Sequence, residues 1–190
     1  LKELLRRRLT RLLPVQSRAI SAGLLEGKSQ LVVSATATGK SLIGEMAGIG
    51  NLLQGKGKLL FLVPLVALAN QKYDQLSAYN ELGFQTSIRV GTSRIRLGKK
   101  RKIVQSLNAD IISGTYEGID QVIRTKKSLG RVGTVVIDEV HMLEDAERGH
   151  RLAGMIARLR NAAPEAQFIF LSATVGNPGA LAKRLNASLV

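Results

Sequence analysis

Two short stretches of this chain hold side chains that are costly to bury and useful beside a phosphate. The apolar run Leu31-Val32-Val33 leads through Ser34-Ala35-Thr36-Ala37-Thr38 to Gly39-Lys40-Ser41, and about a hundred residues later Val135-Val136-Ile137 leads to Asp138-Glu139-Val140-His141. A buried strand that ends in a loop closing on Gly-Lys-Ser offers backbone N–H groups, an ammonium and a hydroxyl to a triphosphate and its metal. A buried strand that ends in two adjacent carboxylates offers one to a magnesium ion and the other to an attacking water. Together they predict a site for ATP and Mg2+. The loop Thr36 to Ser41 cradles the phosphates and Lys40 meets the β- and γ-phosphates. Ser41 and Asp138 hold the metal, Asp138 through water, and Glu139 orients or deprotonates the hydrolytic water. Each motif has a plainer reading alone, a turn with an exposed lysine or acids capping a strand end. Only Gly39-Lys40-Ser41 fits the loop pattern strictly, because Ser34 replaces its first glycine.

Such a site requires strands whose carboxyl ends lie together. Apolar runs predict strands near 30–34, 58–63, 85–90, 109–113, 133–138 and 167–172, and helical patterns fall near 40–53, 65–81, 99–107, 116–125, 146–162 and 178–186. Leu1, Leu4, Leu5, Leu9, Leu12 and Leu13 share a stripe that predicts an amphipathic helix over about 1–13, and Pro14 opens a second helix that runs to about Leu25 and stops at Gly27. Strands alternating with helices give an α/β fold, a mainly parallel sheet with helices on both faces and ligands at the carboxyl ends of the strands. No repeat or linker divides the 190 residues, so the chain reads as one domain.

Composition agrees. A hydrophobic fraction of 45% with only 4% aromatic residues suits an aliphatic α/β core. There is no cysteine and there are two histidines, His141 and His150, which excludes disulfides and thiolate or zinc clusters. No apolar stretch is long enough to span a membrane, so the expected localisation is cytoplasmic. Against 14 Asp and Glu stand 28 Lys and Arg, a formal charge of +14 that favours a polyanionic partner, most simply nucleic acid. The chain begins at Leu1 rather than Met and is expected to be part of a longer protein.

A third strand, Phe168-Ile169-Phe170-Leu171, exits into Ser172-Ala173-Thr174. In this order, from about Leu13 to Val190, the chain resembles the first RecA-like motor lobe of superfamily 2 DExH-box helicases. Its resemblance is nearest to the branch of superkiller-type RNA helicases and archaeal helicases acting on stalled forks and branched DNA. Arg148-Gly149, Asn177-Pro178 and Leu181-Ala182-Lys183-Arg184-Leu185-Asn186 resemble that branch. The resemblance implies that Gln16, in Leu13-Pro14-Val15-Gln16, reads the adenine edge. It implies that His141 couples the nucleotide site to Ser172 and Thr174. Phe61 to Asn70 and Gly114 to Asp120 look like the family's segments along the single strand, which assigns Pro64, Leu65, Thr115 and Tyr116 to the nucleic-acid path. It also implies a second RecA-like lobe, absent from this chain, that supplies an arginine finger. In other phosphate-loop enzymes such a finger is worth about 10³ to 10⁵ in rate.

The sequence departs from the family in places. Ala37 and Thr38 stand where many relatives have a glycine and a small residue, and Leu13 stands where an aromatic residue is usual. The run Arg94 to Lys102 is more basic than expected; it is either a solvated face or a strip that contacts phosphates. The predicted function is an ATP-hydrolysing helicase lobe that acts on single-stranded or forked nucleic acid, DNA slightly favoured over RNA. The alternative is a nucleic-acid-binding module with a degenerate nucleotide site. A phosphate-loop kinase or GTPase is disfavoured because neither an arginine-bearing lid nor an Asn-Lys-x-Asp run is evident.

Overall fold

The computed structural model describes residues 11–35, 38–91 and 106–190. Outside them lie most of the helices predicted over 1–13 and 99–107, the basic run Arg94 to Lys102, and the loop residues Thr36 and Ala37. The described ends of those two predicted helices, 11–13 and 106–107, are not helical.

Among the described residues seven strands form one sheet: β1 (Gln30–Val33), β2 (Lys58–Val63), β3 (Thr86–Arg89), β4 (Ile111–Thr115), β5 (Val132–Ile137), β6 (Gln167–Ser172) and β7 (Ser188–Leu189). Their order is β3-β4-β2-β5-β6-β1-β7, and every pairing is parallel. Parallel neighbours need long crossovers, which the helices supply. The period of two divides each strand's side chains between two cores. Leu60, Leu62, Val135, Ile137 and Phe170 meet α4 (Tyr116–Arg124), α5 (Gly149–Ala162) and α6 (Pro178–Arg184) on one face. Phe61, Val63, Val136, Ile169 and Leu171 meet α1 (Pro14–Ser21), α2 (Lys40–Leu53) and α3 (Val66–Leu76) on the other. Both faces are covered, so β2, β5 and β6 carry the unbroken apolar runs 59–63, 135–137 and 168–171.

Helix α2, which carries Lys40, is fixed at its far end by a buried polar knot. The Asn51 amide donates to Thr134 Oγ1 at 2.7 Å and to Gln167 Oε1 at 2.9 Å, and Gln167 Nε2 donates to the Leu24 carbonyl at 2.7 Å. Close packing holds its middle. A Cβ on Gly44 would lie 2.7 and 2.9 Å from the methyl carbons of Val136, so the helix rests on β5 at a distance only glycine allows.

Several element boundaries differ from the sequence reading. Helix α1 ends at Ser21 rather than near Leu25, because Gly23 takes φ 93° and a single 3-10 turn, Leu24–Glu26, follows before Gly27. The helix predicted over 65–81 is α-helical only to Leu76 and continues as a 3-10 segment, Ser77–Leu82. Strand β4 starts two residues later than expected and ends at Thr115. Helix α5 starts at Gly149 rather than 146, since the Asp145 carboxylate accepts the N–H groups of Glu147 and Arg148 and holds a turn there. The edge strand β7 was not predicted; two residues carry no periodicity. Among the described residues no helix is long and apolar enough to cross a membrane.

Candidate functional site

Strand order brings three separated segments together. Strands β5, β6 and β1 are neighbours, so Asp138 beyond β5, Ser172 at the end of β6 and the loop beyond β1 share one rim of the sheet. The Ser34 N–H donates to the Ser172 carbonyl at 3.2 Å, which ties the loop to β6.

That loop turns into α2 at Gly39, whose φ of 75° is left-handed and whose Cβ, if it had one, would lie 2.5 Å from Gln16 Nε2. Lys40 and Ser41 open the helix, where unpaired N–H groups and the helix dipole favour an anion. Lys40 Nζ donates to the carbonyls of Ser34 at 2.5 Å and Ala35 at 2.6 Å, and Thr38 Oγ1 also donates to Ala35. Burial lowers the lysine's pKa, opposed by the negative charges of Glu139 and Asp138. The ammonium and the carboxylate pair thus lie within electrostatic reach although 98 and 99 positions apart in sequence. Gln16 is buried; its Nε2 donates to the Gly39 carbonyl at 3.1 Å while its Oε1 accepts the Leu13 N–H at 2.9 Å. Its amide braces the loop against the start of α1.

Asp138 prolongs β5, its N–H donating to the Leu62 carbonyl at 2.9 Å. Alternation carries its side chain to the face of Val136, beneath α2 and α3. The next residue, Glu139, has φ 57°, a left-handed conformation that costs a non-glycine residue about 1–2 kcal/mol. The turn directs the Glu139 N–H onto Asp138 Oδ1 at 3.0 Å and ends the strand. Asp138 has a raised pKa, first from burial and then from Glu139, with Lys72, the Glu139 N–H and Lys40 pulling the other way. The Glu139 side chain beside it is about a third exposed.

His141 Nδ1 lies 3.3 Å from Glu139 Oε2, without the alignment of a hydrogen bond. Ser172 is fully buried and its Oγ has no hydrogen-bond partner, while Thr174 is exposed. The histidine and Ser172 are therefore not bonded to each other in this structure. Of the four residues expected along a nucleic-acid path, Leu65 is 53% exposed and Pro64 half-buried at the rim beyond β2. Thr115 and Tyr116, by contrast, have buried side chains. Thr115 Oγ1 accepts the Gly118 N–H at 3.1 Å and caps α4, and the Tyr116 hydroxyl donates to the Asp138 carbonyl. Sequence reasoning missed Glu45, Lys72 and Gln75. Glu45 is fully buried and accepts from Gln75 Nε2 at 2.6 Å and Tyr79 Oη at 2.9 Å. An acid on the buried stripe of α2 was the signal available.

The fold and this rim define a RecA-like nucleotide-binding domain of the phosphate-loop class. The chain belongs to the DEAD/DEAH box helicase family, whose model matches residues 13–181. It is 59% identical over its whole length to a protein described as a probable ATP-dependent helicase in Methanocaldococcus jannaschii. It is 44% identical over 94% of its length to the ATP-dependent DNA helicase Hel308 of Caldivirga maquilingensis. The chain spans 23% of the length of each of these relatives. Among solved structures, the DUF1998 helicase MrfA superposes with a TM-score of 0.79 at 24% identity, covering 98% of this chain and 31% of that one. The same helicase bound to DNA gives 0.78 at 23% identity, covering 98% and 28%. At such identities the likeness is one of fold.

Proposed function

We propose that this helicase motor domain binds and hydrolyses ATP to drive a protein that moves along single-stranded nucleic acid and opens duplexes. The observation that carries the reading is the approach of Lys40, at the start of α2, to Asp138 and Glu139 across the carboxyl rim of the sheet. The donor set fits Mg2+. Asp138 and Ser41 present oxygen, the ligand hard cations take, and the sheltered Asp138 carboxylate gains most from a cation. Bound there with ATP, magnesium would neutralise phosphate charge and orient the oxygens.

The chain's own groups do the rest. Lys40 exchanges two loop carbonyls for phosphate oxygens, and the backbone N–H groups of the loop and α2 hold the anion. Glu139, about a third exposed, orients water and accepts its proton. Gln16 holds the adenine side through its brace to Gly39. His141, Ser172 and Thr174 form the link to other parts of the motor, and the orphaned Ser172 hydroxyl is a ready bonding group. Pro64 and Leu65 mark the strand path. DNA is favoured over RNA because the Caldivirga relative is named a DNA helicase and MrfA has been solved with DNA. A forked substrate, a second RecA-like lobe with an arginine finger and a cytoplasmic location complete the proposal.

The test is Lys40→Ala in the protein expressed from its complete gene. Turnover of ATP should be lost with the fold retained, read as an unchanged far-ultraviolet circular dichroism spectrum, since Lys40 is only partly buried and alanine is well tolerated at the start of a helix. Turnover equal to wild type would refute the nucleotide assignment. Comparing stimulation of the wild type by single-stranded DNA, single-stranded RNA and forked DNA then selects the substrate.

A further inference from the structure

Asp138 lies between two helices on opposite faces of the sheet, and each helix begins within one of the two expected strand-contacting segments, 61–70 and 114–120. Helix α4 follows Thr115 directly, and its first residue, Tyr116, sends its hydroxyl to the Asp138 main-chain carbonyl. Burial first, then the charges of Asp138, Glu139 and Glu117, push that phenol well above its usual range, so it stays a hydrogen-bond donor. Helix α3 follows Pro64-Leu65 and lies on the opposite face. Its Lys72 has Nζ 4.9 Å from the centre of the Phe61 ring, on the strand beside β5, and donates to Gln75 Oε1 at 2.9 Å. Gln75 in turn donates to Glu45, buried on α2, so the lysine is held to the helix that carries Lys40. Phe61 pairs with Val136, two residues before Asp138 on the same face, so the Lys72 ammonium stands near the Asp138 carboxylate and favours its charged form.

We propose that Tyr116 and Lys72 are positioning residues that clamp Asp138 from opposite faces of the sheet and transmit the placement of α3 and α4 on nucleic acid to the magnesium side of the nucleotide site. The clamp rests on the functional reading above. It also gives a buried tyrosine at the head of α4 a role other than stacking on a base. Displacement of α4 by a bound strand would move the hydroxyl bonded to Asp138, and displacement of α3 would move the ammonium beside its carboxylate, with no longer pathway required.

The experiment uses the protein expressed from its complete gene. Tyr116→Phe deletes one hydroxyl and keeps the buried ring; Lys72→Met deletes the charge and Lys72→Arg keeps it. Magnesium is titrated in two assays, equilibrium binding of a fluorescent ATP analogue and turnover with saturating single-stranded DNA. In both, Tyr116→Phe and Lys72→Met should raise the half-saturating magnesium concentration about fivefold to tenfold, the shift one hydrogen bond produces. Lys72→Arg should restore most of it, and affinity for single-stranded DNA without nucleotide should equal wild type in Tyr116→Phe. Should Lys72→Met melt early, Tyr116→Phe alone decides. Unshifted magnesium curves for Tyr116→Phe overturn the clamp, as does weakened DNA binding without a magnesium shift, which makes Tyr116 a strand contact. Loss of turnover in Lys40→Ala alongside unshifted curves defeats the clamp alone; wild-type turnover in Lys40→Ala defeats the nucleotide reading and the clamp with it.

Discussion

Two glycines on α2, Gly44 and Gly50, should respond differently to the same substitution. In a helix interior, glycine to alanine is worth about 1 kcal/mol through backbone entropy. Around Gly50 nothing lies within 4 Å of the new methyl, so Gly50→Ala should collect that gain. At Gly44 the methyl would sit 2.7 and 2.9 Å from the Val136 methyl carbons and 3.3 Å from the Phe61 ring, well inside the roughly 3.5–4.0 Å optimum. Val136 is fully buried and β-branched, with little freedom to turn away. Overpacking of this kind costs about 1–3 kcal/mol, which equals or exceeds the propensity gain. The two variants should differ by about 1–3 kcal/mol in denaturant unfolding of the 190-residue domain. At about 2–4 °C per kcal/mol, the melting temperature should rise in Gly50→Ala and fall or stay level in Gly44→Ala. Because α2 carries Lys40 and β5 leads to Asp138, Gly44→Ala should also reduce ATP turnover while Gly50→Ala leaves it intact. Equal stabilisation by both substitutions would refute the claim that close packing sets the distance between helix and strand.

Asp138 offers a test by pH. Its folded pKa is raised above the ordinary 3.8, so the folded state prefers the proton, and the cost of the buried charge is absent below 3.8 and grows as pH rises to the folded value. Asp138→Asn should therefore melt higher than wild type at neutral pH, and the difference should shrink as pH falls toward 3.8; a constant difference would show that the charge is not the cause. Glu139→Gln keeps the side chain's shape and removes its basicity, so it should bind ATP without hydrolysing it, as read by nucleotide retention and phosphate release. Neutralising Lys99, Lys100 and Arg101 together should weaken binding to single strands and flatten log affinity against log salt by up to about 2 units, from about 0.7 per phosphate contact. If neither changes, that run is a solvated face.

The sequence determined the alternation of strands and helices, the two-sided core and the positions of both nucleotide motifs. These properties are local: an unbroken apolar run requires cover on both faces, and Gly39-Lys40-Ser41 and Asp138-Glu139 stand out because each follows such a run. Boundaries were less legible where single residues decide them, as at Gly23, which ends α1 early, and Asp145, whose carboxylate delays α5. Strand order belonged to the tertiary structure alone. Nothing in the periodicity of β1, β5 and β6 says that they are neighbours, yet that adjacency brings Lys40 to Asp138 and ties Ser34 to Ser172. The same holds for the direction of Tyr116 and the set of Lys72, Gln75 and Glu45. A tyrosine at a helix start reads equally as a base-stacking surface or a core residue, and only the packing of α4 on the sheet sends its hydroxyl to Asp138. Glu45 and Gln75 are 30 positions apart on two helices, and their bond exists because both helices cover the same face of one sheet.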